Sequence, residues 1–219
     1  MNFFLDLVVV RYKEPLDWIN EGIYKNVSRY FIYNKGDPIL NVFEDNIFIY
    51  NVNNTGRDCY TYLDHIIKHY DNLADITMFV NGCGDCKHKG SYVNYILSET
   101  LRTRDSVIMG QYDPHIDTFY LDNWKATSTY NIDDDGILKP ADIRPFGEWR
   151  KHNWPDLDLK KATYLSIFSI HKRHILQHDP MYYTNLILQI DNTHRNPEIC
   201  HYFERAWISV FYPINFIQR

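Results

Sequence analysis

The sequence predicts an α/β fold built on a mostly parallel central sheet, and three observations carry that expectation. Short apolar runs rich in β-branched and aromatic residues recur at 7–10, 30–33, 47–50 and 76–80. Each run ends abruptly in a polar or glycine-containing loop. Helical stripes follow the third and fourth runs, the alternation expected of strands joined by crossover connections.

Leu7-Val8-Val9-Val10 is continuously apolar, the pattern of a strand buried on both faces, and it stops at Arg11-Tyr12-Lys13-Glu14-Pro15. Tyr30-Phe31-Ile32-Tyr33 runs into Asn34-Lys35-Gly36, and Ile47-Phe48-Ile49-Tyr50 into Asn53-Asn54-Thr55-Gly56-Arg57-Asp58. Cys59, Leu63, Ile66, Ile67 and Tyr70 then share one helical face. The fourth strand, Ile76 to Val80, leads through Asn81-Gly82-Cys83-Gly84-Asp85-Cys86-Lys87-His88 to a helix opening near Ser91, marked by Val93, Ile96, Leu97 and Thr100. From Ile108 to Trp154 the period is lost, and irregular structure with short strands is expected, a covering segment for a site. Tyr164 to Ile170 is a further strand candidate, and two helical faces close the pattern: Tyr182, Tyr183, Leu186, Ile187, Ile190, and Cys200, Phe203, Trp207, Val210, Phe211.

With 219 residues, 45% hydrophobic, the chain is expected to form one domain with its own core. A net charge of -5 with interspersed signs speaks against a phosphate-neutralising nucleic-acid surface. No apolar run approaches the length of a membrane span, and Phe3 to Val10, broken by Asp6, lacks the basic flank of a signal peptide. The four cysteines are too few and scattered for a disulfide framework, so reduced thiols in a cytoplasmic setting are expected.

Ligands of open α/β sheets bind beyond the carboxyl ends of the strands, so Arg11-Tyr12, Asn34-Lys35, Asn54 to Asp58 and Asn81 to Asp85 should converge on one crevice. Gly56 allows close backbone approach, the following helix offers free N–H groups and Arg57 adds a cation, a combination suited to a diphosphate. A plain turn with Asp58 as a first-turn acid is the simpler alternative. Asp85, after a glycine pair, is placed either to form a turn or to hold Mg²⁺ or Mn²⁺. Cys83-x-x-Cys86 with His88 has the spacing of a redox pair or half a zinc site, without a second cysteine pair. Asp133-Asp134-Asp135-Gly136 lacks calcium-loop spacing and makes a turn; hydrolase-elbow, P-loop and zinc-enzyme motifs are missing. Glu204 falls on the apolar stripe of its helix, where a carboxylate must find a partner, such as a core-edge arginine or a helix cap, or else do chemistry as a catalytic or acceptor-binding group whose pKa burial would raise toward that of a useful base.

The run Asn54-Thr55-Gly56-Arg57-Asp58, then Thr61-Tyr62-Leu63-Asp64-His65-Ile66-Ile67, Tyr70-Asp71-Asn72-Leu73-Ala74-Asp75 and Phe79-Val80-Asn81-Gly82, resembles the hallmark segment of domain of unknown function 3431. Val8-Val9-Val10-Arg11-Tyr12 with Trp18, Tyr33-Asn34-Lys35-Gly36 and Tyr202-Phe203-Glu204-Arg205-Ala206-Trp207 extend the resemblance over nearly the whole chain. That family is similar to glycosyltransferases of GT-A type, including small enzymes of large DNA viruses. The resemblance implies a three-layer αβα fold, a UDP- or GDP-sugar donor, a glycan or protein-glycan acceptor and a divalent metal. The chain departs from the family with Asp58 for Glu, Asn81 for Gln, Cys83-Gly84-Asp85-Cys86 in place of an Asp-His ending, and no Asp-x-Asp at the end of the fourth strand. On this pattern Val10, Arg11 and Tyr12 line the base pocket, Lys35, Asn54, Gly56 and Arg57 surround the diphosphate, and Asp58 contacts ribose, sugar or metal. Asp85 is the metal ligand, Mn²⁺ or Mg²⁺, and Glu204 orients the acceptor or acts as base. A thiol or zinc protein built on Cys83 and Cys86, and a non-catalytic carbohydrate-binding protein, are the rival readings.

Overall fold

The computed structural model describes residues 3–39, 45–83, 89–123 and 137–218. Asp85, Cys86, His88 and the run Asp133 to Gly136 lie outside these residues. Five strands form the main sheet: β1 (Leu5–Arg11), β2 (Arg29–Asn34), β3 (Ile47–Asn51), β4 (Ile76–Asn81) and a later strand, Phe168–His171, in the order β3-β2-β1-β4 followed by that strand. The first four are mutually parallel, with Val10 opposite both Tyr33 and Asn81; the fifth runs antiparallel to β4. The fold is therefore α/β with a mostly parallel central sheet, as the strand pattern predicts.

Successive side chains of β1 alternate between two cores. Val8 and Val10 join Phe31, Tyr33 and Phe79 on one face, packed by Cys59, Tyr62, Leu63 and Ile66 of α1 (Arg57–Lys68). Leu5, Leu7 and Val9 join Ile32, Met78 and Val80 on the other, packed by Val93, Ile96 and Leu97 of α2 (Gly90–Thr103) and by Trp18, Ile19 and Tyr24. This is why Leu7 to Val9 read as an unbroken apolar run: each is fully buried on one side or the other.

The second half completes the first face. After β5 (Met109–Tyr112) come α3 (Phe146–Asn153), β6 (Lys161–Ala162), β7 (Phe168–His171), α4 (Lys172–Ile175), α5 (Pro180–Ile187), α6 (Glu198–Val210) and β8 (Ile217–Gln218). β5, β6 and β8 make a small second sheet. Two expectations are corrected here. The aperiodic stretch 108–154 contains α3, whose eight residues are too few for a clear stripe; Trp149 is 1% exposed, and Gly147 lets the helix approach Asp117, whose Cβ a side chain at 147 would meet at 2.6 Å. The expected strand from Tyr164 begins only at Phe168, because Leu165 (φ 73°) and Ser166 (φ 50°) are left-handed. Side chains take the place of the strand ladder there: Glu204 accepts from the Leu165 N–H, Asn81 donates to the Leu165 carbonyl and Tyr62 to that of Ser166. Left-handed conformation in two successive non-glycine residues is costly and persists where neighbours over-determine it.

Candidate functional site at the carboxyl ends of the parallel strands

The loops that follow β1 to β4 do meet. Lys35 N–H donates to the Arg11 carbonyl (2.8 Å), Val52 N–H to Asn34 (2.9 Å) and Gly82 N–H to Val10 (2.7 Å). Arg11 closes the row by donating to Asn34 Oδ1 (2.6 Å) and to the carbonyls of Asp37 (2.8 Å) and Glu14 (2.9 Å). Its guanidinium is thus a brace between loops. Val10, 8% exposed, contributes backbone, and the Tyr12 carbonyl lies so close to Gly36 that a Cβ there would sit 1.8 Å from the oxygen. Glu14, which the sequence did not single out, is buried beneath them and accepts from Tyr12 N–H (2.7 Å), Lys13 N–H (3.1 Å) and the Cys83 thiol (3.5 Å).

The loop between β3 and α1 has an unusual polarity. Lys35, nine-tenths buried, donates to the carbonyls of Thr55 (2.6 Å) and Arg57. The carbonyl between them, Gly56, receives the thiols of Cys59 (3.5 Å) and Cys200 (3.2 Å) and the N–H of Tyr60 (3.1 Å). Desolvation pushes Lys35 down to about 8. Gly56 is the N-cap in the left-handed region (φ 60°), with Tyr60 Cβ 2.6 Å from where its own would stand, and it offers no side-chain cap. Its N–H is taken by the His194 carbonyl (2.8 Å), so Arg57, Asp58 and Cys59 carry the first-turn N–H groups that no intrahelical carbonyl accepts. Half-buried Asn54 sits beside them.

Asp58, on the first turn of α1, faces α6. Burial raises its carboxyl pKa, with Arg57 opposing and Glu204 adding to the rise; Lys89 at the N-cap of α2 and Lys35 oppose it more weakly. Arg57 donates to Asn196 Oδ1 (3.3 Å). His201 Nε2 lies 3.2 Å from the same oxygen.

Glu204 behaves otherwise than burial predicts. Desolvation does push its pKa upward, but His201, Arg205 and the Leu165 N–H outweigh it and hold the carboxyl down to about 2. Oε1 lies 3.0 Å from Leu165 N, and Oε2 lies 3.5 Å from Arg205 and 3.8 Å from His201. Glu204 is therefore a fixed anion organising the 163–166 segment: it has found the partners that the salt-bridge alternative expects, and the raised pKa that the catalytic alternative calls for is corrected. Lys89, Asn196, His201 and Arg205 escaped the sequence reading; only the His-x-x-Glu spacing of 201 and 204, one turn apart on a helix, signalled any of them. Cys83 is buried against Glu14, and among the described residues no three potential metal ligands form a group.

Residues 7–110 match the profile of a family described as "Protein of unknown function (DUF3431)". No curated protein matches the sequence significantly. Among solved structures, the chain is similar to 4-diphosphocytidyl-2C-methyl-D-erythritol synthase of Anaerococcus prevotii DSM 20548, with TM-score 0.45, 14% identity, and coverage of 100% of this chain and 87% of that one. It is similar also to 2-C-methyl-D-erythritol 4-phosphate cytidylyltransferase of Francisella tularensis (TM-score 0.36, 12% identity, 97% and 90% covered). A third is bifunctional IspDF of Campylobacter jejuni (TM-score 0.34, 10% identity, 84% and 47% covered). Among the described residues no helix is long and apolar enough to cross a membrane.

Proposed function

We propose that the chain is a glycosyltransferase of GT-A type that moves a sugar from a UDP- or GDP-sugar to a glycan acceptor. The observation that carries this reading is the α1 N-terminus: an uncapped helix end with Arg57 and Lys89 close by, set beside a carboxyl whose pKa is raised. First-turn N–H groups that no intrahelical carbonyl accepts, together with the helix dipole, favour an anion, and two cations suit the charge of a diphosphate.

In this scheme the donor diphosphate lies across the N–H groups of Arg57, Asp58 and Cys59, and its base points toward Val10, Arg11 and Tyr12, where Arg11 fixes the loop. Lys35 acts from beneath by orienting the Thr55 and Arg57 carbonyls inward. Asp58 takes the role of base, since a raised carboxyl pKa brings it nearer the operating pH. The acceptor hydroxyl gives its proton to Asp58 as its oxygen attacks the anomeric carbon. The bond from that carbon to the diphosphate oxygen breaks, and the nucleoside diphosphate leaves with the electron pair, stabilised by Arg57, Lys89 and the helix N–H groups. Glu204 positions the Leu165 segment that borders the acceptor.

Mn²⁺ or Mg²⁺ would need further carboxylates. Among the described residues Asp58 is the one carboxyl at this crevice without a committed partner, and Glu204 is occupied by Leu165, His201 and Arg205. The described donors do not make a cation site on their own, so the charges that meet the leaving group here are Arg57 and Lys89. The test is thermal-shift titration with UDP, GDP and UDP-sugars, with and without Mn²⁺ or Mg²⁺. A ligand at a hundred times its Kd stabilises the native state by about 2.7 kcal/mol. A saturable rise in Tm with one nucleoside diphosphate, lost in Arg57→Gln, is the expected outcome; no shift with any nucleotide would sink the proposal.

A further inference from the structure

A second concavity lies behind the 53–57 loop, between the end of β3, the flank of α1 and residues 192–193. Its volume is ≈ 520 Å³, within the range of about 300–1,000 Å³ typical of small-molecule sites. Arg57, Asp58 and Glu204 do not line it. Its chemistry differs from that of the charged crevice.

The charged groups on its walls already have hydrogen-bonding partners. Asp64 pairs with Lys68 (2.7 Å), and Lys35 turns its ammonium onto the carbonyls of Thr55 and Arg57. What remains is neutral and hydrogen-bonding. Thr61 is 3% exposed, and its hydroxyl has no hydrogen-bond partner among the described residues although it borders the cleft. The Asn53 amide is likewise uncommitted among those residues. Asn192 donates to the Tyr60 hydroxyl (3.1 Å), which keeps its own carbonyl available and fixes the half-buried Tyr60 side chain at the wall.

Three ligand classes can be weighed against this set. A phosphate or carboxylate would meet Lys68 only as the partner of Asp64, and Lys35 only with its N–H groups turned onto the Thr55 and Arg57 carbonyls. A purely apolar molecule would leave the Thr61 hydroxyl without a partner, and an unmade hydrogen bond in a desolvated position is unfavourable. A neutral polyol satisfies both requirements: hydroxyls that donate and accept reach Thr61, Asn53 and Asn192, and a pyranose C–H face covers the Tyr60 ring, which has an apolar body and a polar tip. We infer that this cleft is a saccharide-binding site for one or two neutral hexose units, distinct from the crevice at Asp58. The inference does not depend on the transferase reading. If that reading holds, the bound sugar shares the 53–57 loop with the donor, so the cleft is a second point of purchase on a glycan.

The test is NMR titration of the isotope-labelled full chain, without nucleotide, using cellotetraose, maltotetraose and chitotetraose. One of the three is expected to shift the amides of 53–61 and 192–193 saturably. Thr61→Val, isosteric and conservative for folding, and Asn53→Ala should each weaken that binding at least tenfold while leaving any nucleotide-induced thermal shift unchanged. No saturable shift with any of the three, or equal affinity in both variants, would overturn the assignment. A transferase failure would show separately, as absence of the nucleotide shift in the parent protein.

Discussion

At the first turn of α1, Asp58 makes no hydrogen bond among the described residues and burial lifts its pKa. On α6, across the same crevice, Glu204 is surrounded by a backbone N–H, a guanidinium and an imidazole, and its pKa is pressed down to about 2. Both carboxyls are largely removed from water, so burial alone does not separate them. Partners do. A desolvated acid with its charge compensated becomes a structural anion, and one left uncompensated becomes responsive to whatever enters the site. Burial read from a helical stripe therefore says that a carboxylate is special without saying in which direction.

Three substitutions test that contrast, the strongest first. Glu204→Ala removes the acceptor of the Leu165 N–H and the counter-ion of Arg205, and is expected to cost about 2–3 kcal/mol, a fall in Tm of roughly 5–10 °C by calorimetry. The cost has a pH signature. The folded pKa lies below the usual 4.5, so the stabilisation is complete above about 4.5 and is lost as pH falls toward 2; the gap between parent and Glu204→Gln should narrow across that window. A gap that is constant with pH would mean that packing, not charge, is what Glu204 contributes.

Gly56→Ala comes next. A side chain at φ 60° meets Tyr60 Cβ at 2.6 Å, and the expected loss is about 1–2 kcal/mol, measured by urea unfolding with an unchanged m-value. The smallest effect on stability belongs to Asp58→Asn. Removing an acid whose charge burial disfavours and which holds no hydrogen bond among the described residues should change stability by no more than about 0.5 kcal/mol. If the chain transfers sugar as proposed, that rate should nonetheless fall by about 10²–10⁴-fold, the usual worth of a general base. A variant that unfolds instead would place Asp58 with Glu204 among the structural anions.

Much of this was legible beforehand. Leu7 to Val10 announced a strand buried on both faces, and the polar ends of the first four strands announced where the loops would meet. The Asn-Thr-Gly-Arg-Asp loop was recognisable because glycine and charge sit at a strand-to-helix junction. What was not legible depends on contacts between distant positions. Phe146 and Trp149 share a face too short to show a period. Leu165 and Ser166 look like strand residues because nothing local reveals that Asn81, Tyr62 and Glu204 will claim their backbone groups. Cys83 and Cys86 drew attention by their spacing, whereas Cys59 and Cys200, 141 positions apart, meet at one carbonyl. His201 and Arg205 flank Glu204 on a helix, yet their consequence for its charge depends on three-dimensional placement.

The inward capture of the Thr55, Gly56 and Arg57 carbonyls has a consequence for how this surface can change. In a trans peptide the C=O and the following N–H point opposite ways, so tethering the oxygens inside pins the N–H vectors of Arg57 and Asp58 outside. Turning either peptide over would mean surrendering an ammonium or thiol contact in the interior. The orientation is thus settled during folding, and an arriving anion has no reorganisation to drive. In the proposed transferase, anion affinity is then written partly in residues 35, 59 and 200, whose side chains point away from the helix end. Drift at those buried positions would retune the site while every residue on its visible face stayed the same.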